Sequence, residues 1–226
     1  MLLFIILTFG FTGYSLIFEQ QSFWGATVAT NLTNAVPFIG PTIAYFLRGG
    51  PVIGDNTLTR FFILHIGVLP ALAFILIGLH ILLIRLHGVT ELYFEGETVP
   101  EEKRFFRFLP DHVINELMLG VLLLYVLTIL ALTFPVGLGT PADPTVTPEH
   151  IKPEWYFYFN FRLLKLTSLN VSVVFTLFLC IAIFFWPFIE EFLRKKIKFP
   201  DVLSVMAGLV FVMIFLLFTV WESFAP

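Results

Sequence analysis

Five apolar runs, at positions 2–18, 61–84, 117–134, 171–189 and 202–221, leave little room in this 226-residue chain for anything but membrane helices. Crossing a bilayer core takes roughly 20 helical residues. The first run is the shortest and includes Gly10 and Gly13, so it reads as a span cut short. With 58% hydrophobic residues, 29 of them phenylalanine, and a mean hydropathy of +0.93, the chain has more apolar surface than a soluble core can hide. The expected fold is all-α, a polytopic transmembrane bundle with about five spanning helices and interfacial helices on the outer face. Asp111 after Pro110 and Asp201 after Pro200 stand where they can cap the third and fifth spans.

The net charge of -3 is spread over loops and forms no basic stripe, which excludes a nucleic-acid partner. One cysteine, Cys180, allows no internal disulfide and no cysteine-ligated metal cluster, and it reads as a small apolar filler. Met1 leads directly into Leu2 and Leu3 without a basic segment, so no cleavable signal peptide is expected.

Charge placement fixes an orientation. Eight of the thirteen Lys and Arg, namely Arg85, Lys103, Arg104, Arg107, Arg194, Lys195, Lys196 and Lys198, lie between the second and third or the fourth and fifth spans. Cytoplasmic connections carry such an excess. The other five, Arg48, Arg60, Lys152, Arg162 and Lys165, then belong to the outer side. There, residues 22–34 place Trp24, Val28 and Leu32 on one helical face behind Ser22, a pattern for a helix lying in the interface.

On the same outer side, Pro153-Glu154-Trp155-Tyr156 sets a carboxylate between aromatic residues and a proline. An acid beside bilayer-depth sequence tends to mark a proton or ligand pathway. The other reading is an interfacial belt, with the rings at the headgroups and Glu154 in water.

The second span contains His65 and His80 in otherwise apolar sequence. In a regular helix this spacing is about 22 Å of rise and about 60° of rotation, which puts both imidazoles on one side, one near each leaflet. Pro70 between them should bend the helix. Two axial ligands for b-type haems fit this pattern; so do interhelical hydrogen bonds or a proton relay. The remaining histidines, His87, His112 and His150, do not lie at mid-leaflet depth, so any second axial ligands come from another polypeptide or from a missing segment.

These motifs together resemble the cytochrome b subunit of quinol-oxidising cytochrome bc complexes, most closely the cytochrome bf type fused with subunit IV. The resemblance rests on Gly10-Phe11-Thr12-Gly13-Tyr14-Ser15-Leu16, Ser22-Phe23-Trp24-Gly25-Ala26-Thr27, Thr57-Leu58-Thr59-Arg60-Phe61-Phe62, His65, Pro70, His80 and Pro153-Glu154-Trp155-Tyr156, in the family's order. The fifteen-residue histidine interval and Arg85 five residues after His80 are bf-like. Against that pattern, the family's first two helices, one bearing both partner histidines, are missing, so residues 1–110 correspond to its third and fourth helices and 111–226 to the subunit IV-like region. Ile17-Phe18-Glu19 stands where the family usually has Pro-Trp followed by Gly or Asp, and Phe161 where many bc-type relatives have Tyr.

The resemblance implies a subunit that is inactive alone. Its quinol:acceptor oxidoreductase would release protons at the outer face and pass electrons to a Rieske iron–sulfur protein and the outer b haem. It assigns Glu154 as the proton acceptor, and Tyr14, Trp24, Gly25, Ala26, Val28, Pro153 and Tyr156 to the quinol pocket. His65 and His80 become ligands of the outer and inner b haems, Gly10 and Gly13 make room for the macrocycles, and Arg60 and Arg85 pair with propionates. Implied partners are a chain supplying the two missing helices and their histidines, the Rieske protein, a c-type cytochrome and the lipid of an energy-coupling membrane such as the bacterial inner membrane, in a dimeric complex. An extra c-type haem of the bf kind would attach through a cysteine in the missing region. The competing hypothesis is a haem-free scaffold or transporter that keeps the fold.

Overall fold

The computed structural model describes residues 1–88, 107–149, 151–197 and 201–225. Lys103, Arg104, His150 and Lys198 lie outside the described residues. Four described helical runs are long and apolar enough to cross a membrane: Asp55–His87, Phe108–Thr133, Leu169–Lys196 and Val202–Phe224. They make this an integral multi-pass membrane protein. The fifth expected span is the shorter apolar helix α1, Leu2–Leu16. It ends before the bulky Phe18, which turns the chain in the left-handed region at φ 53°.

The chain separates into two compact units, one of Met1–Leu79 with Gly139–Pro226 and one of His80–Leu138. In the first, α2 (Gln20–Asn34) packs on α3 (Gly40–Arg48), and α1 packs on both α2 and α4 (Asp55–Ile63). Glu19, rather than Ser22, is the N-cap of α2, and Ser22 reaches back to accept the Glu19 N–H at 2.9 Å. The buried residues of this helix are Ser22, Phe23, Ala26 and Thr30, the last three one to two positions before the expected Trp24, Val28 and Leu32. Arg48 is the cause. Its Nε donates to Thr30 at 2.9 Å and its Nη2 to Asn31 at 2.7 Å, so the polar edge of α2 turns inward.

A wide π turn, Leu64–Val68, joins α4 to α5 (Leu69–His87), and the Leu69 N–H donates to the Leu64 carbonyl five residues back. Pro70 follows at once; its ring clashes with the carbonyl four residues before it, and the widened turn is a common answer to such a clash. The uniform 100° step assumed for the histidine spacing therefore fails over Leu64–Val68.

The short 3-10 turn Trp155–Phe157 leads into α7 (Tyr158–Leu166), which packs on α8 (Leu169–Ile197) and most extensively on α9 (Asp201–Phe224). Phe159 is buried against Phe211, Phe215 and Phe218 of α9. Beside this seam the fully buried Glu222 accepts from Lys165 at 2.6 Å and Arg162 at 3.4 Å, and the Arg162 guanidinium lies 3.7 Å from the Trp221 ring centre.

The strap at 139–146 is tied to the start of α2. Gly139 N–H donates to the Glu19 carboxylate at 2.6 Å, Gln20 N–H to the Thr140 carbonyl at 2.8 Å, Asp143 N–H to the Gln20 side chain at 2.6 Å, and Trp24 Nε1 to the Val146 carbonyl at 3.1 Å. Thr145 donates both its hydroxyl and its N–H to the exposed Asp143 carboxylate, which holds that group below its ordinary range.

In the second unit, the end of α5 accompanies α6 (Val113–Thr133), none of whose residues is buried. Asp111 does not cap α6 as expected. It lies inside the π turn Phe108–His112 that extends the helix backward.

Replacing one member of a buried ion pair strands the others. Glu222→Leu should lower stability by about 3 kcal/mol, read as a fall in the thermal midpoint of the purified protein in detergent, while Glu191→Leu on the exposed end of α8 should leave it nearly unchanged.

Candidate functional site

Two positions without side chains on α1 set the geometry of the site. A Cβ built on Gly13 would stand 2.8 Å from Cε1 of His65, and one on Gly10 would stand 2.8 Å from the Tyr156 hydroxyl. An imidazole lies against one of these glycines and a phenol against the other. Thr12 lies between them, with its hydroxyl 2.9 Å from His65 Nδ1. Phe9 meets the same imidazole edge-on, with centroids 5.4 Å apart. Phe11 packs against Phe61 on one flank and Phe157 on the other, so α1 is held between α4 and the 3-10 turn.

Directly after Gly13, Tyr14 turns to a cavity of about 560 Å³ that it lines with Gln21, Lys152, Pro153, Glu154, Trp155 and Tyr158. Cε1 of Tyr14 also lies 3.3 Å from where a Gly25 Cβ would be, a tight approach of the ring to α2. Glu154 is half-buried, at the N-cap of the 3-10 turn, and its carbonyl accepts from Phe157 N–H at 2.8 Å. Burial, and then the nearby Glu154 charge, push the Tyr156 phenol above its ordinary pKa, so it remains a protonated donor around neutrality. Lys152, at the cavity edge, donates to the carbonyls of Glu222 and Ala225 at 3.2 and 2.5 Å, which ties the cavity to the end of α9.

Of the pocket residues expected from sequence, Tyr14, Pro153 and Glu154 line this cavity. Tyr156 faces Gly10 instead, Ala26 is packed at 3% exposure, Trp24 is bonded to the strap, and Val28 is half-buried away from the lining. Gln21 and Lys152 line it without having been singled out for it; each directly adjoins a quoted motif. Arg60 donates Nη1 to the Phe46 carbonyl and lies 5.1 Å over the Phe46 ring, and so fastens α4 to α3. His80 and Arg85 belong to the second unit, on exposed positions of α5.

Among the described residues no three His, Cys, Asp or Glu side chains converge, so they form no closed protein-only metal centre. A bis-histidine haem asks less of one chain, a single imidazole per iron with its Nε2 free. His65 meets that requirement, since its Thr12 contact uses Nδ1.

The sequence and the fold have relatives. Residues 1–141 match the family described as cytochrome b(N-terminal)/b6/petB, and residues 141–225 match cytochrome b(C-terminal)/b6/petD. The chain belongs to the cytochrome b/b6 family. Among solved structures it is similar to a chain of a hyperthermophilic respiratory Complex III, at 22% identity and a TM-score of 0.78. The match covers 100% of this chain and 61% of that one, so the chain spans about three fifths of the length of this relative, and the likeness is one of fold.

The Gly10 contact can be tested by itself. Gly10→Ala should cost about 1–3 kcal/mol by overpacking, and adding Tyr156→Phe should recover most of the loss in a thermal-melt double-mutant cycle, because the nearest clash is with the hydroxyl.

Proposed function

We propose that this chain is a membrane subunit of a bc-type quinol oxidoreductase, and that it supplies the outer quinol-oxidation site together with one axial histidine for each of two b haems. One observation carries the reading: successive residues of α1 serve both parts, with Thr12 and Gly13 against His65 and Tyr14 in the wall of the Glu154 cavity. The cavity that holds Glu154 and the imidazole proposed as a ligand thus meet the same turn of one helix.

In this reading the quinol ring enters the cavity between Tyr14 and the Pro153–Trp155 backbone. Its hydroxyl meets Glu154, which accepts a proton as a general base and releases it toward the outer aqueous face. Tyr156, packed on Gly10, holds the turn that aims Glu154. His65 and His80 would each offer Nε2 to a b haem, whose iron supplies one-electron transfer when bound. Any further ligand to either haem would come from residues outside this sequence. A Rieske iron–sulfur protein takes the other electron, and a c-type cytochrome follows it. The division into a haem-bearing region, 1–110, and a subunit IV-like region, 111–226, rests on the sequence motifs.

In the assembled complex, Glu154→Gln should slow quinol oxidation by about 10²- to 10⁴-fold with the haem spectra unchanged; an unaltered rate would remove Glu154 from the mechanism. His80→Ala should abolish one b-haem signal in reduced-minus-oxidised spectra and keep the other. A native complex without any b-haem bands would favour the haem-free scaffold instead.

A further inference from the structure

We propose that Thr12 is a positioning residue that fixes the His65 proton on Nδ1, so that Nε2 is presented to iron with its lone pair free. The inference rests on the reading of His65 as an axial ligand and adds a residue to it. A threonine hydroxyl has one hydrogen to give. That of Thr12 faces three acceptors: the Thr8 carbonyl at 2.7 Å, the Phe9 carbonyl at 3.3 Å and His65 Nδ1 at 2.9 Å. The Thr8 bond is the shortest and closes the ordinary i to i−4 ring of a helical threonine, so the hydrogen goes there. The oxygen then has only lone pairs left for the imidazole, and the Nδ1···O contact is a bond only if Nδ1 carries the hydrogen.

Two neighbours keep the imidazole on this bond. Gly13 leaves the space that the ring fills, with Cε1 at 2.8 Å and Nε2 at 3.5 Å from a notional Cβ, and Phe9 meets it edge-on at 80°. Thr12 itself is 2% exposed, so water cannot readily take over the role of acceptor. In a low-dielectric setting a bonded Nδ1–H also makes the ring a stronger electron donor through Nε2, as outer-shell partners of ligating histidines do. A stronger donor favours the ferric state and lowers the potential of the haem that His65 holds.

The test replaces the hydroxyl without changing the shape of the side chain. Thr12→Val keeps the volume and removes the acceptor, whereas Thr12→Ser keeps the acceptor. In the assembled native complex, redox titration of the b bands should show Thr12→Val moving one b-haem midpoint upward and leaving the other in place. The expected size is about a tenfold change in that haem's reduced-to-oxidised ratio, or about 59 mV for one electron. Thr12→Ser should titrate like the native complex. A Thr12→Val complex with full haem content and both midpoints unmoved overturns the proposal. So does a Thr12→Ser complex that shifts or loses haem as Thr12→Val does, since that would mark a packing role. The haem reading fails separately, and is recognised by missing b bands in the unsubstituted complex.

Discussion

The architecture of the site depends on how closely other elements approach α1. A helix with ordinary side chains at positions 10 and 13 would hold its neighbours away, and neither the His65 imidazole nor the Tyr156 phenol could reach its backbone. With glycine at both positions, two segments distant in sequence dock on one helix within a single turn. The rings of Phe11, Phe61 and Phe157 then close the flanks by edge contacts. Such packing gains little per contact and works through the number of contacts.

The four long spans could be read from hydropathy alone, because a run of apolar residues near bilayer length has few other uses. The Pro153–Tyr156 segment and the two histidines could be seen because polar groups in such sequence are rare. Other features depended on distant partners. The buried face of α2 is displaced by one to two residues because Arg48, from the next helix, draws Thr30 inward, and no periodicity within residues 22–34 encodes that. Pro70 signalled a bend but not that the adjustment would be a widened turn enclosing His65. Glu222 could not be picked out, since a lone acid at the end of an apolar helix looks interfacial until Arg162 and Lys165 are placed beside it. Thr12 lay within a quoted motif, but its contact with a residue 53 positions away is a tertiary fact.

Two uses of cations recur among the described residues. Arg194 and Lys195 pair with Glu190 and Glu191 four residues earlier, local contacts that a solvated helix end makes by itself. All five cations assigned to the outer side instead join separate elements: Arg48 joins α3 to α2, Arg60 joins α4 to α3, and Lys152, Arg162 and Lys165 converge on the end of α9. The outer layer is thus fastened by hydrogen-bonded charge where the spans themselves offer mostly apolar contact.

The strap at 139–146 is held almost wholly through its own main chain. Its N–H and carbonyl groups meet Glu19, Gln20 and Trp24, while its side chains contribute little to the attachment. Main-chain groups are the same in every residue but proline, so the recognition is one-sided. Evolution can rewrite the strap's surface, and with it whatever docks there, without loosening it from α2. Gly139 is the exception, since a Cβ there would stand 2.5 Å from the Glu19 carboxylate. The corner of α2, by contrast, has little licence to vary, because three adjacent or near-adjacent side chains secure a segment more than a hundred positions downstream.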